Sequence, residues 1–237
     1  MKQHPKSRAI TTHLAKVDPV LAGVIRAAGP YTMIADLKCP PFQSLARAIT
    51  FQQLNGVAAG TIFKRFIAAC GKEPFPAPQR VLAMPDAKLR AAGLSFNKIA
   101  ALKDLAAKTI EGIVPDGKTL AALESEAIIE RLTQVRGIGR WTVEMMLMFQ
   151  LGRPDILPVD DFGVRAGFQK AYGLRKMPAP KALAAYGARW KPHRSAAAWY
   201  LWRAIELSRA GKLPEPGERI RLPRIARRRR KKAAQKK

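Results

Sequence analysis

The sequence is poor in the residues that hold metals and cross-link chains: two cysteines and three histidines stand in 237 residues. Cys39 and Cys70 lie far apart and neither belongs to a CxxC pair, a usage that suits a reducing compartment. Two thiols cannot ligate an iron–sulfur cluster, which needs about four. His4, His13 and His193 lack metal-ligand spacing, so no transition-metal site is expected. No apolar run approaches the roughly 20 residues of a membrane-spanning helix. The basic stretch Met1–Lys16 has no continuous apolar core, so no signal peptide is expected. Alternating β-branched runs are scarce, which argues against a sheet.

Acidic residues are short as well. Seventeen Asp and Glu face 43 Lys and Arg, a formal charge of +26. The stretch Arg221–Lys237 holds ten bases and no acid; the other 33 bases against the same 17 acids still leave +16. An excess of this size implies an anionic polymer as partner, most simply nucleic acid. An anionic membrane surface is the second reading, but no strongly basic amphipathic helix with apolar anchors supports it. A hydrophobic content of 48% excludes a wholly disordered chain. The length suffices for one domain or two intimate subdomains without disulfide or metal.

What is present reads as helix after helix. Leu45, Ala48, Ile49 and Gln52 share one face; Ile62, Phe66 and Cys70 share another, with Gly71 as the stop. A Pro-rich loop follows at Pro74–Pro78, then a short helix from Pro85–Asp86 to Gly93. Ser95 can cap a helix that buries Ile99, Leu102, Leu105, Ala106 and Ile110 and ends at Gly112. A helix through Ile128, Ile129 and Leu132 runs into the tight segment Val135–Gly139, and the next spans about Arg140–Leu151. Asp160–Asp161 opens a helix ending near Gly173, Pro178 and Pro180 break the chain, and a last helix covers about Ser195–Ala210. From Pro214 onward the chain is basic and is expected to be disordered without DNA.

Two motifs carry chemistry. In Leu132-Thr-Gln-Val135-Arg136-Gly137-Ile138-Gly139-Arg140-Trp141-Thr142-Val143, apolar residues flank a Gly-x-Gly turn. The glycines permit a tight turn and close approach of the backbone to a phosphate. The N–H groups of Gly139, Arg140 and Trp141 then face an anion at a helix N-terminus, with charge added by Arg136 and Arg140. About twenty residues on comes Leu157-Pro158-Val159-Asp160-Asp161-Phe162-Gly163-Val164-Arg165. An aspartate at a helix start is commonly an N-cap; here Asp160 can fill that role and leave Asp161 for chemistry. The adjacent pair is not a two-carboxylate glycosidase arrangement, because neighbouring helical residues point about 100° apart.

A hairpin followed at this distance by a Pro/Val-x-Asp helix start resembles the helix-hairpin-helix DNA glycosylase superfamily. The nearest branch is that of DNA-3-methyladenine glycosylase II. Ala48–Leu54, Gly93–Lys98 and Trp190–Ser195 leading to Trp202 agree with it, and the resemblance covers about Pro41 to Leu207. It implies an all-α fold of two helical subdomains with the active-site cleft between them. The glycosylase core would be 1–213, with a middle subdomain at about 80–153 carrying the hairpin, the flanking segments forming the other, and a basic tail at 214–237. The extra N-terminal β domain of longer members is not expected.

By the same resemblance Asp161 is the catalytic carboxylate, and Trp141, Trp202, Met145 and Gln52 line the base pocket. Met145 replaces a pocket tyrosine and offers sulfur contacts in place of a π face. Gly137, Ile138, Gly139, Arg140, Thr142 and Arg136 contact DNA, and Phe96 is the intercalating wedge. The carbonyls of Thr133, Val135 and Ile138 would hold a monovalent cation; no cofactor is required. Trp141 stands where strand-cutting members have a lysine, and no lysine lies between Lys118 and Lys170, so no Schiff-base chemistry is expected.

The implied activity is hydrolysis of the N-glycosidic bond of alkylated purines, 3-methyladenine and 7-methylguanine, in duplex DNA with base flipping. The alternatives are a non-enzymatic hairpin protein that binds bent or damaged DNA, and a glycosylase for another lesion such as uracil or 8-oxoguanine. The expected partner is double-stranded DNA with damaged bases, with no membrane and a monomeric enzyme. The expected location is cytoplasmic at the nucleoid, or nuclear in a eukaryote.

Overall fold

The computed structural model describes residues 3–71 and 73–216. The elements in chain order are α1 (Ser7–Val17), α2 (Pro19–Ala28), α3 (Pro41–Phe51), α4 (Gly56–Cys70), α5 (Pro78–Ala83), α6 (Asp86–Ala91) and α7 (Phe96–Ile110). They continue as α8 (Gly117–Ala122), α9 (Ser125–Leu132), α10 (Arg140–Phe149), α11 (Phe162–Ala171), α12 (Pro180–Gly187), a 3-10 turn (Ala188–Trp190) and α13 (Arg194–Arg209). Among the described residues there is no strand, and no helix is long and apolar enough to cross a membrane.

The chain divides into two compact units. One combines Met1–Thr32 with Leu157–Lys237; the other is the continuous stretch Met33–Ile156. The middle unit therefore starts near 33 and not near 80. The reason is packing: α3 lies on α7 and on α10, and α4 lies on α3 and α6. The segment expected to join the flanking unit is thus built into the unit that carries the hairpin.

In the middle unit α7 is the central rod. Ser95 caps it by accepting from the Lys98 N–H, and Ile99, Leu102, Leu105 and Ala106 are buried as the spacing predicts. Ile110 departs from the expectation: it is the last residue of the helix and is 47% exposed. The α3, α5 and α6 helices pack against this rod.

The other unit is organised by one buried carboxylate. Asp18 caps α2 by accepting from the Leu21 N–H (3.0 Å), and its second oxygen accepts from Tyr172 Oη (2.6 Å) and Trp190 Nε1 (2.8 Å). Burial, then the Asp18 charge, push the Tyr172 phenol well above its usual pKa, so it remains a donor. Each donor left unpaired by removal of such a hub costs about 1–3 kcal/mol. The α11 and α13 helices cross at Gly167, where an added Cβ would stand 1.9 Å from the Leu201 carbonyl oxygen. Only glycine permits that approach.

The expected tail begins with ordered contacts. A Cβ on Gly173 would lie 2.8 Å from Pro216 Cγ, so the first residues after α13 run along their own unit. Residues 217–237, the rest of that expectation, lie outside the described residues.

Candidate functional site

The turn between α9 and α10 is closed by its own backbone. Val135 N–H donates to the Leu132 carbonyl (3.1 Å) and Ile138 N–H to that of Val135 (3.0 Å). Val135 and Ile138 are buried. Gly137 has φ +77°, a conformation in which a side chain is strained. Gly139 then starts α10 without any side-chain cap at the helix's positive end.

Two braces hold the turn in place. On one side Asp104 of α7 accepts from the Arg136 N–H (2.6 Å) and from Lys108 Nζ (2.8 Å), while Lys108 also donates to the Gln134 carbonyl (2.6 Å). Burial alone would raise the Asp104 carboxyl, but the Arg136 N–H and the Lys108 ammonium outweigh it and hold it below the usual value. On the other side Gln52 Nε2 donates to the Gly137 carbonyl (2.8 Å). Gln52 is itself fixed by Lys98, whose Nζ donates to the carbonyls of Thr50 (2.7 Å) and Gln52 (2.9 Å) at the C-terminal end of α3. Burial lowers the Lys98 pKa. A cation is favoured at a helix C-terminus. The next residue, Gln53, has φ +58°, a strained value outside glycine.

Three expected DNA contacts change character. Arg140 is paired within the unit: Glu126 takes it from two directions (2.7 and 2.9 Å) and Glu144 from a third (3.1 Å). Those carboxylates, Glu126 first, raise the guanidinium pKa further, and its charge is already balanced locally. Thr142 is buried and lines the cavity beside the hairpin. Ile138 contributes a buried side chain and an N–H that closes the turn. Exposed surface remains at Arg136, Gly137, Gly139 and Arg140.

Beside the hairpin is a cavity of about 760 Å³ between α3 and α10, lined by Phe51, Gln52, Gln53, Trp141, Met145 and Phe149 among others. Three of the four expected pocket residues are therefore together, and Trp141 is 45% exposed. Phe96 opens α7 with 68% of its surface exposed and the Arg90 guanidinium 4.5 Å from its ring centre. Leu54, directly after the strained Gln53, is 40% exposed and was not singled out from sequence.

Trp202, the fourth expected pocket residue, lies in the other unit and does another job. Its indole N–H donates to Asp161 Oδ1 at 2.9 Å. The same oxygen accepts from the Val164 N–H at 2.7 Å. Asp161 is thus itself the N-cap of α11, and the sequence expectation that Asp160 takes the cap is corrected: Asp160 is exposed. Asp161 stands at the positive end of the helix, where an ionised carboxylate is favoured.

A single carboxylate held at a helix N-terminus, in a protein that also carries a Gly-x-Gly hairpin leading into a helix start, defines a class. The pattern of the HhH-GPD superfamily of base excision DNA repair proteins matches residues 46–193, and the chain belongs to that family. It is 39% identical to DNA-3-methyladenine glycosylase 1 of Schizosaccharomyces pombe, over 83% of this chain and 86% of that one. Among solved structures it is similar to the S. pombe 3-methyladenine DNA glycosylase Mag1 in complex with abasic DNA. That match has a TM-score of 0.74 and 37% identity, over 84% of this chain and 98% of the other. It is also similar to a DNA-3-methyladenine glycosidase from Bacillus halodurans, with a TM-score of 0.78 and 32% identity over 89% of this chain and 95% of that one.

Proposed function

We propose that this protein is a monofunctional DNA glycosylase that removes alkylated purines, chiefly 3-methyladenine and 7-methylguanine, from duplex DNA. The observation that carries the reading is Asp161, fixed at the head of α11 by two N–H donors, in a chain 39% identical to a 3-methyladenine glycosylase.

The chemistry follows from the leaving group. An alkylated purine is cationic, so it departs with the glycosidic electron pair as a neutral base and needs no strong general acid. Positive charge then builds on the sugar at C1′. Asp161 stabilises that charge or orients the water that attacks C1′; the hydroxyl stays on the sugar and the water's other proton passes to solvent or to the carboxylate. The exposed indole face of Trp141 attracts a cationic purine, while Met145 adds polarizable contact. With tryptophan at position 141 and no lysine nearby in the sequence, no Schiff base forms and the strand stays whole.

Phosphate binding falls to the N-terminus of α10 and to Arg136. Phe96 is the wedge that fills the stack when the base leaves it. The carbonyls of Thr133, Val135 and Ile138, in the turn that follows α9, are neutral oxygen donors of the kind a monovalent cation takes; it would brace the turn and take no part in the reaction.

The deciding experiment is release of free bases from methylated duplex DNA, comparing wild type with Asp161→Asn while following strand integrity. Methylpurine release by wild type, lost by at least about a hundredfold in the variant and without nicking, is the expected result. Full release by Asp161→Asn removes the carboxylate from the mechanism. DNA binding without any methylpurine release overturns the substrate assignment.

A further inference from the structure

The tryptophan expected to stack on the base points its polar edge at the carboxylate. Trp202 Nε1 and Val164 N both donate to Asp161 Oδ1, at 2.9 and 2.7 Å. Two donors on one oxygen fix the rotation of a carboxylate as well as its place. The approach of the indole is possible only because residue 163 has no side chain. A Cβ on Gly163 would stand 2.8 Å from Trp202 Cδ1, 2.9 Å from its Nε1 and 3.1 Å from Asp161 Oδ1. Gly163 lies in an ordinary helical turn, so its backbone conformation gives no reason for glycine. Space for the indole does. One turn further, Gly167 receives the Leu201 carbonyl in the same way. The two glycines lie on one face of α11 and seat α13 at the residues that deliver the Trp202 ring.

We propose that Trp202 is a positioning residue, acting on the reaction through Asp161 by its indole N–H, and that Gly163 is required to admit it. This rests on Asp161 being the catalytic carboxylate. A misplaced or rotating carboxylate offers less stabilisation to charge at C1′, because only a fixed dipole or charge acts without reorganising. A lost donor of this kind lowers rates by about tenfold to a hundredfold.

The test uses the full chain and single-turnover release of 3-methyladenine, with binding to a duplex containing a tetrahydrofuran abasic analogue measured alongside. Trp202→Phe keeps an aromatic face and loses the N–H; Trp202→Leu loses both. Both are expected to slow release by the same factor and to leave abasic-duplex binding unchanged. Gly163→Ala is expected to reproduce that loss. Combining Trp202→Phe with Asp161→Asn is expected to be no slower than Asp161→Asn alone.

A rate near wild type for Trp202→Phe with a low rate for Trp202→Leu shows the ring face at work, and overturns the proposal. Equal losses of rate and binding indicate a structural role and overturn it too. Wild-type rates in Gly163→Ala remove the part assigned to Gly163. A fully active Asp161→Asn sinks the underlying assignment instead, whatever the Trp202 variants do.

Discussion

Arg140 shows what one residue's neighbours decide. In the sequence it is a cation beside a phosphate-binding turn. In the structure Glu126 and Glu144 surround its guanidinium, and Glu144 is buried. Glu144 stands one turn on in the same helix, a spacing that the sequence announces; Glu126 is not announced, because it comes from the preceding helix α9. Asp161 shows the opposite case. The Pro-Val-Asp-Asp run marks both a helix start and a candidate carboxylate, and the structure puts the cap on Asp161 itself. The partner that completes it, Trp202, is 41 residues away and could be read only as an aromatic. The wedge also belongs to this scale. Phe96→Ala is expected to reduce base flipping, read with a fluorescent base analogue opposite a thymine, while leaving duplex affinity within about threefold, since phosphate binding falls to other residues. Undiminished flipping in Phe96→Ala but not in Leu54→Ala would move the wedge to the exposed Leu54.

At the scale of elements, prolines explain most of what the sequence reading missed. Pro178 and Pro180 were expected to break the chain, yet Pro180 opens α12; Pro19, Pro41 and Pro78 open α2, α3 and α5 likewise. Proline suits a first helical turn, where its missing N–H is not needed. The hairpin was legible because glycine spacing and apolar framing are local signals. Its braces were not, because Asp104, Lys108 and Lys98 are ordinary charged residues of α7 until the turn is laid beside them. The Asp104 brace has a pH signature. Its carboxyl is held below 3.8 in the folded protein, so its stabilisation is complete above that pH and is lost as pH falls through the lower folded value. The thermal midpoint of Asp104→Asn is expected to lie below wild type at neutral pH, the gap closing on acidification. A gap that stays constant down to the acid limit would falsify the ionic brace.

For the whole molecule, charge is the property that the sequence already disclosed. The excess of +26 is not confined to the stretch after Arg221, and DNA binding fits it. Domain limits were less legible. The resemblance implies a boundary near 80, but α3 packs on α7, and α4 on α3 and α6, which draws both across it. Deleting residues 221–237 takes away ten bases. The slope of log affinity against log salt is expected to flatten by up to about 0.9 for each phosphate that is no longer neutralised, with the rate of base release at saturating DNA unchanged. An unaltered slope would mean that those bases do not meet DNA.

The buried Asp18 hub also sets an order in time. Its two distant donors, Tyr172 and Trp190, follow it by 154 and 172 residues in the chain. A ribosome adds roughly 5–20 residues per second, so the carboxylate waits roughly ten to thirty seconds for its partners during synthesis. By the end of that interval the continuous stretch 33–156 is complete, its last residue preceding Tyr172 and Trp190, whereas the unit assembled from both ends of the chain still lacks residues. The hairpin-bearing unit can therefore mature first on the ribosome, and Asp161, which waits for Trp202, is secured after it.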